Sequence, residues 1–457
     1  MATAALVGSS IVEIPTLLAS PPPYQRKDVG GLAASDPILT GYAKAIRAMR
    51  ALAVDDPLSW AYQAAIHGTT LSCSYTSWNT CEHGTYFFLS WHRMYLWYFE
   101  RIIRKMAGDP NWTLPFWNWE STSERTLPAP FRTPADPSND LFASNRGFGW
   151  NDGTSSLASS TVDTSAAMPE TLFTNFSSSL EGTPHGAVHV SIGGWMGSVP
   201  TAAQDPIFWL HHCNIDRLWN AWLAQGGGRV DPLGDATWKN TKFTFFDENG
   251  TQVQLTGCDI LRAQDQLGYN YEGEPAQVNF YCSKIVKPPI WILKEILKLP
   301  PPPDPGPGPD PTPWEINVGE VREQLAKLAR TKGTDLRLEL SEVVADKQPT
   351  AYLEVYIGLP KSAAPEPKSP HYVGNIALFG HGIREEKPHG KFHPASFSFP
   401  ITRALEATFQ RDPRARTLSA LFVPRGPLRE GKPAPTPLGA RLHIGAASLS
   451  LREHRTE

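Results

Sequence analysis

Residues 1–299 contain seven histidines: His67, His83, His92, His185, His189, His211 and His212. They fall into two clusters, at 67–92 and at 185–212, whereas histidines used as filler would scatter. In LEGTPHGAVHV (180–190), His185 and His189 stand at i and i+4, so one helix face presents both rings to a single metal ion. His212, within the apolar stretch DPIFWLHHCNIDRLW, can supply a third nitrogen. His67 closes a helical stretch and makes a matching trio with His83 and His92. Neither trio has a carboxylate in a ligand-like place. Ligation by imidazole alone suits copper, zinc, iron or nickel and argues against magnesium, calcium or manganese. Six neutral ligands leave a metal pair with its full positive charge, which favours an anionic oxygen species. A single hydrolytic zinc needs three histidines and usually a nearby carboxylate base, which disfavours that reading.

Such rings need rigid supports, and the sequence provides them. DPILTGYAKAIRAMRALA and DPLSWAYQAAIHG have helical spacing, the second ending at Gly68. TYFFLSWHRMYLWYFERIIRKMAG is apolar almost all round, as a buried helix is. DPIFWLHHCNIDRLWNAWLAQGGG opens on Asp-Pro and stops at glycines. Four buried helices imply a mainly α domain, a four-helix bundle with long irregular loops. The segment PPPPDPGPGPDPTP (300–313) has nine prolines and two glycines, which favours extended polyproline II and reads as a linker. Beyond it, stretches such as DLRLELSEVV, AYLEVYIGLP and ARLHIGAASLSL alternate with period two, which predicts an antiparallel β-sandwich. The expected organisation is therefore a helical domain at 1–299, a linker at 300–313 and a sandwich at 314–457.

The 457 residues carry a net charge of −3 with no basic run, which excludes nucleic acid and anionic membrane surfaces as expected partners. No apolar stretch is long enough to span a bilayer. The N-terminal stretch lacks a basic region, which disfavours a signal peptide. Five cysteines (Cys73, Cys81, Cys213, Cys258, Cys282) are too few and too odd in number for a disulfide framework. A cytoplasmic location is expected, with secretion left open.

CEHGTYFFLSWHRMYLWYFE resembles the first-copper signature of the type-3 copper proteins, the family of tyrosinases, catechol oxidases and molluscan-type haemocyanins. PHGAVHV and DPIFWLHHCNIDRLW resemble its second-copper signature. The likeness runs from QRKDVGGLAASDP to LGYNYE (267–272), where Tyr-x-Tyr resembles the motif that closes the catalytic domain, with Arg26 as its partner. The resemblance implies two copper ions, the first on His67, His83 and His92 and the second on His185, His189 and His212. It implies O₂ as co-substrate and small phenols as substrates, with o-diphenols oxidised to o-quinones. His211 would act beside the metal, and Asp216 would support the ligand helix or form an ordinary helix salt bridge. Cys81 would be joined to His83 by a thioether, while Cys213 would be packing. Glu181 would hold a water that takes a phenol's proton. Gly186 stands where strong tyrosinases carry Asn, which puts monophenol hydroxylation in doubt. Val190 and Val199 would line a fairly open pocket mouth. The region after Trp314 resembles the C-terminal domains that cover the copper site in latent enzymes, with Phe379 as the candidate plug. A haemocyanin-like O₂ carrier and an o-aminophenol oxidase are the alternatives on the same six ligands.

Overall fold

In the helical half, local signals in the sequence set where each element starts and stops. The computed structural model describes residues 24–72, 75–274, 290–384 and 393–455. Helix α1 (Pro37–Arg50) begins where the Asp36 side chain accepts from the Ile38 N–H and proline takes the first position. Helix α2 (Trp60–His67) is capped in the same way by Ser59, which accepts from the Tyr62 N–H. Helix α3 (Phe88–Ala107) is buried over most of its length and ends at Gly108, whose φ of 69° needs glycine. Helix α4 (Phe173–Leu180) runs into a turn, Glu181–Gly186, in which Thr183 is extended (φ −142°, ψ 124°). Helices α5 (Ala187–Ile192), α6 (Val199–Ala202) and α7 (Ile207–Ala224) follow. Helix α3 packs against both α1 and α7, and one apolar core joins residues of all three.

Short strands tie the ends of this half together. Strand β1 (Tyr24–Arg26) pairs in parallel with β5 (Tyr269–Tyr271), while β3 (Phe243–Phe246) and β4 (Gln252–Leu255) form a hairpin. Strand β2 (Ser155–Ser156) pairs with β13 (Leu428–Arg429), which belongs to the far end of the chain.

The second half is two four-stranded sheets over a shared core. One has the order β10-β9-β12-β7, from Tyr372–Ile376, Tyr352–Ile357, Thr417–Arg425 and Thr312–Asn317. The other has the order β11-β8-β14-β6, from Ala395–Pro400, Asp335–Ala345, Leu442–Arg455 and Ile290–Leu299. Ile316, Leu353 and Val355 of the first sheet meet Leu338, Leu340 and Leu449 of the second in one buried cluster.

Strand β6 lies before the proline-rich segment, and β7 starts inside it. Residues 300–311 therefore cross from one sheet of the sandwich to the other, and the expected boundary at 299/300 falls within the sandwich. Pro302 and Pro305 are buried. The carbonyls of Pro305, Pro307 and Gly308 accept from Leu442, Gly439 and Leu438. A proline has no N–H to donate but keeps its carbonyl, so the segment serves as a row of acceptors. Composition correctly indicated extended chain; it carried no information about which bodies that chain connects.

One prediction follows for proteolysis. A cut within residues 300–311 leaves β6 bonded to β14 from Ile290↔Arg455 to Leu299↔Ala447, so the nicked chain should elute as one species under native conditions. Only a cut before Ile290 should release the sandwich, and size exclusion of each digest checks this.

Cys258 is disulfide-bonded, while Cys213 is not. The cysteine count was therefore a poor guide: an odd number forbids only complete pairing. Among the described residues, no helix is long and apolar enough to cross a membrane.

Candidate metal centre

Four imidazoles are each aimed by one backbone carbonyl. His67 Nδ1 faces Val199 O at 3.1 Å, and His92 Nδ1 faces Phe88 O at 2.8 Å. His185 Nδ1 faces Glu181 O at 3.0 Å, and His189 Nδ1 faces Met196 O at 2.7 Å. A carbonyl only accepts, so each of these Nδ1 atoms carries the proton and Nε2 keeps its lone pair. The Nε2 atoms of His67, His83, His92 and His185 are buried with no hydrogen-bond partner. Leaving one such acceptor bare costs about 1–3 kcal/mol, so a convergent group of them fits a cation.

The rings converge in overlapping groups. The potential ligand atoms of His185, His189, His211 and His212 lie within 4.8 Å of one another, as do those of His67, His92 and His212. His83 joins His67 and Cys81 in a third such group. His189 Nε2 and His212 Nε2 face each other at 3.2 Å, and the His92 ring stacks on His212 at 4.5 Å. The two trios thus adjoin through His212. Burial drives His67 and His211 down to about 3, and it drives the other five rings well below the ordinary histidine range, with their mutual repulsion adding to the effect. Neutral imidazoles at neutral pH are competent ligands, and this all-nitrogen set suits copper.

His211 is distinguished from His212 by its partner. The Trp119 indole N–H donates to His211 Nδ1 at 3.1 Å, which places the His211 proton on Nε2. A ring so protonated offers no free lone pair, and it packs 5.6 Å from His185.

Around these rings lie the other predicted residues. Cys81 Sγ lies 3.4 Å from His83 Nδ1, beside the ring to which the resemblance would join it. If that thioether forms, the intact mass of copper-loaded protein should lie two hydrogens below the sequence mass, after allowing for the Cys258 disulfide; a normally alkylated Cys81 speaks against it. Cys213 is fully buried, which raises its thiol pKa and leaves it as packing. Glu181 is 3% exposed; its Oε1 accepts from the Gly84 N–H at 2.6 Å. Burial raises its pKa well above the carboxylate range, with the Gly84 N–H opposing. Asp216 belongs to no ordinary helix salt bridge. It accepts from Arg93, Tyr269 and Tyr271 at 2.5, 2.6 and 2.7 Å; Arg26 bridges the Tyr271 hydroxyl to Glu100 and lies over the Tyr269 ring.

The pocket mouth differs from expectation. Val199 takes part through its carbonyl on His67, and Val190 is 2% exposed within the core. A loop of the sandwich that carries Phe379 lies over the rings. Phe379 lies parallel to His189 at 3.9 Å, with an interplanar angle of 8°, and stands edge-on to His83 and His185 at 5.6 Å each. Gly380, at φ +81°, sets its backbone so close to His83 that any side chain would collide with the ring. His381 Nδ1 comes within 3.6 Å of Glu181 Oε1. Sequence reasoning missed His381; the only signal was its place between two glycines, both at positive φ.

Polar contacts hold the two halves in this position. The Tyr352 hydroxyl meets those of Ser160 and Thr161 at 2.8 and 2.9 Å, and Asn375 donates to the Ser160 carbonyl at 2.7 Å. Glu170 pairs with Arg337 at 3.1 Å and with Arg452.

Comparison with known proteins agrees with this geometry. The family model for the common central domain of tyrosinase matches residues 57–169 and 151–225, and the polyphenol oxidase middle domain matches 233–280. A tyrosinase of Hahella sp. (strain CCB-MM4) is 38% identical over 294 residues, covering 52% of this chain and 61% of the relative. The latent form of polyphenol oxidase from Prunus armeniaca is 30% identical over 280 residues, covering 52% of this chain and 47% of the relative. The chain thus spans about half the length of the curated relatives it matches. The solved structure of latent apple tyrosinase superposes with a TM-score of 0.65 at 21% identity, covering 94% of this chain and 97% of that one; this likeness concerns the fold.

Proposed function

Because the chain belongs to the type-3 copper family of tyrosinases and polyphenol oxidases, we propose that it oxidises o-diphenols to o-quinones with O₂ and is held latent by its own C-terminal sandwich. The observation that carries this reading is the pair of adjoining imidazole trios, with bare, buried Nε2 atoms, beneath a stacked phenylalanine. We read α2, α3, α5 and α7 as the four-helix bundle of a dicopper domain, with the sandwich as a separate covering domain. The Cys258 disulfide counts against the reducing cytoplasm and favours an oxidising compartment.

His67, His83 and His92 would hold one copper ion and His185, His189 and His212 the other. When bound, the pair supplies electron transfer between diphenol and O₂. The protein's own part is positional. Carbonyls of Phe88, Glu181, Met196 and Val199 fix four ring planes, the hydrogen-bonding support that orients metal-binding histidines. Phe88 and Phe208 pack edge-on against His185 and His67 and keep water from the far side. The face of His189 that Phe379 covers is where a substrate ring would stack. Glu181, released from His381 when the cover lifts, can take a phenol's proton directly or through water.

The test is catechol turnover by copper-loaded protein, before and after a cut ahead of Ile290. Turnover in neither state overturns the oxidase reading; equal turnover in both overturns latency.

Gly186 needs care in such assays. A Cβ there would lie 3.2 Å from the Glu181 carbonyl, 3.5 Å from Phe379 Cβ and 3.7 Å from Ala377 Cβ. Gly186→Asn should therefore loosen the cover and raise monophenol and diphenol rates together in the full chain. After the cut, only the monophenol rate should rise, by several-fold, if the Asn helps hold the base. Glu181→Gln should lower the monophenol rate more than the diphenol rate in cut protein. Proportional changes in both rates after the cut would exclude the base role.

A further inference from the structure

A cavity of about 180 Å³, with no imidazole in its lining, lies between the helical half and the sandwich. Roughly 150 Å³ is enough to hold a benzene ring. Its sandwich wall includes Phe397 and Phe399, whose rings lie parallel (interplanar angle 2°) at 6.1 Å, together with Tyr372. Its helical wall is α4, through Ser178, and the Glu181–Gly186 turn, through Gly182 and Thr183. Thr183 is 8% exposed, and its buried hydroxyl has no hydrogen-bond partner. Leu293, at 51% exposure, also borders the cavity, so a small molecule can reach it.

Aromatic walls with one unpaired hydroxyl are the pattern of a pocket that binds a ring and orients it by a single polar group. Charge narrows the ligand further. Asp163, Glu170 and Glu339 line the cavity with Arg337 and Arg452, three carboxylates against two guanidiniums that are already paired. An anionic ring is therefore disfavoured, and a neutral ring bearing a hydroxyl fits. We propose that this cavity is a second binding site, for one neutral hydroxylated aromatic ring, and that a ring bound there holds the sandwich against the metal centre.

The coupling follows from the construction of the wall. Both halves contribute to it, so the site exists only while the cover is docked, and a ligand that binds only the docked state must stabilise that state. Phe397 reaches to 3.4 Å of where a Gly182 Cβ would stand, on the same turn that carries Glu181 and His185. Occupancy thus opposes uncovering. The site is distinct from the copper chemistry, although its effect on turnover rests on the latency reading above.

Benzyl alcohol is a suitable probe, since it is a neutral ring alcohol that is not itself a phenol. Calorimetric titration of copper-loaded full chain should show saturable binding, about millimolar for so small a ligand, with benzoate at least tenfold weaker. Ser178→Phe, at an exposed position on α4, should fill the cavity and abolish this binding; Thr183→Val, of equal shape, should weaken it about fivefold. Benzyl alcohol should slow catechol oxidation by the full chain at least twofold, and Ser178→Phe should remove that effect. Absence of saturable binding, equal affinity for benzoate, or binding unchanged in both variants would overturn the proposal. Inhibition that persists in Ser178→Phe would place the alcohol at the metal centre and overturn it equally. Binding with no catechol turnover in any state would leave the site standing and remove the oxidase reading instead.

Discussion

Phe379→Ala is expected to raise catechol oxidation by the copper-loaded full chain roughly ten- to a hundredfold at low substrate concentration. The side chain is 1% exposed and stacks on His189, and its loss removes the contact that most directly occupies the substrate's place. Truncating a buried phenylalanine costs about 3–5 kcal/mol, and part of that falls on docking of the cover. Each 1.4 kcal/mol shifts the docking equilibrium about tenfold. A cover that competes with substrate lowers the competent fraction and so raises apparent KM, leaving kcat nearly unchanged. The substitution should therefore act on KM. Phe379→Leu, which keeps an apolar filling, should change the rate far less. Initial rates over a range of catechol concentrations decide the matter: unchanged kinetics in Phe379→Ala would mean that the loop is no plug. The tether gives the cover a high local concentration, so even weak contacts hold it, which is why one side chain can control so much.

Asp216→Asn is expected to cost about 3–5 kcal/mol of stability, the usual result of removing one partner from a buried charge network. Its carboxylate lies between Arg93 and Arg26, both fully buried; without its charge Arg26 keeps Glu100, while Arg93 loses this ion pair. Midpoints should fall by roughly 6–20 °C, at 2–4 °C per kcal/mol for a domain of this size. The dependence on pH is specific. Burial alone would raise the Asp216 pKa, but Arg93, Arg26 and the two tyrosine hydroxyls outweigh it, so the folded value lies below the ordinary one. A depressed folded pKa gives stability that is fully present above the unfolded value, about 3.9, and is lost as pH falls through the folded value. The gap between wild type and variant should therefore be as wide at pH 5 as at pH 7, and should close only below about pH 4. Thermal unfolding at those three pH values checks it; a gap that closes between pH 7 and pH 5 would assign the stability to another group.

Much of the metal centre was legible in the sequence. His185 and His189 could be paired from spacing alone, because a helix puts i and i+4 on one face wherever it lies. The two clusters brought seven histidines to notice without any contact being known, and the family resemblance proposed six of them as ligands. Apolar runs around His92 and His212 marked the helices that carry them, since burial of a helix on all sides leaves a local trace in composition. Alternation revealed the strands of the sandwich for the same reason. Val190, within α5, and Val199, at the start of α6, show that a helix's presence does not tell which neighbour a given side chain meets.

Tertiary structure decided the rest, and in each case the deciding partner is far away in the chain. The Trp119 N–H that donates to His211 Nδ1 comes from 92 positions away. The role of Asp216 depended on Arg26, 190 positions away, and on the Tyr269–Tyr271 strand that closes beside it. The proline-rich segment looked like an interdomain linker because its composition forbids a ladder; only the pairing of Ile290–Leu299 with Leu442–Arg455 shows that it joins two sheets of one sandwich. His381 against Glu181, and Phe379 on His189, exist only because the two halves dock. Local sequence determines which groups a chain can present and with what period. Which of them meet is set by burial and backbone pairing summed over the whole molecule, and no window of sequence contains that sum.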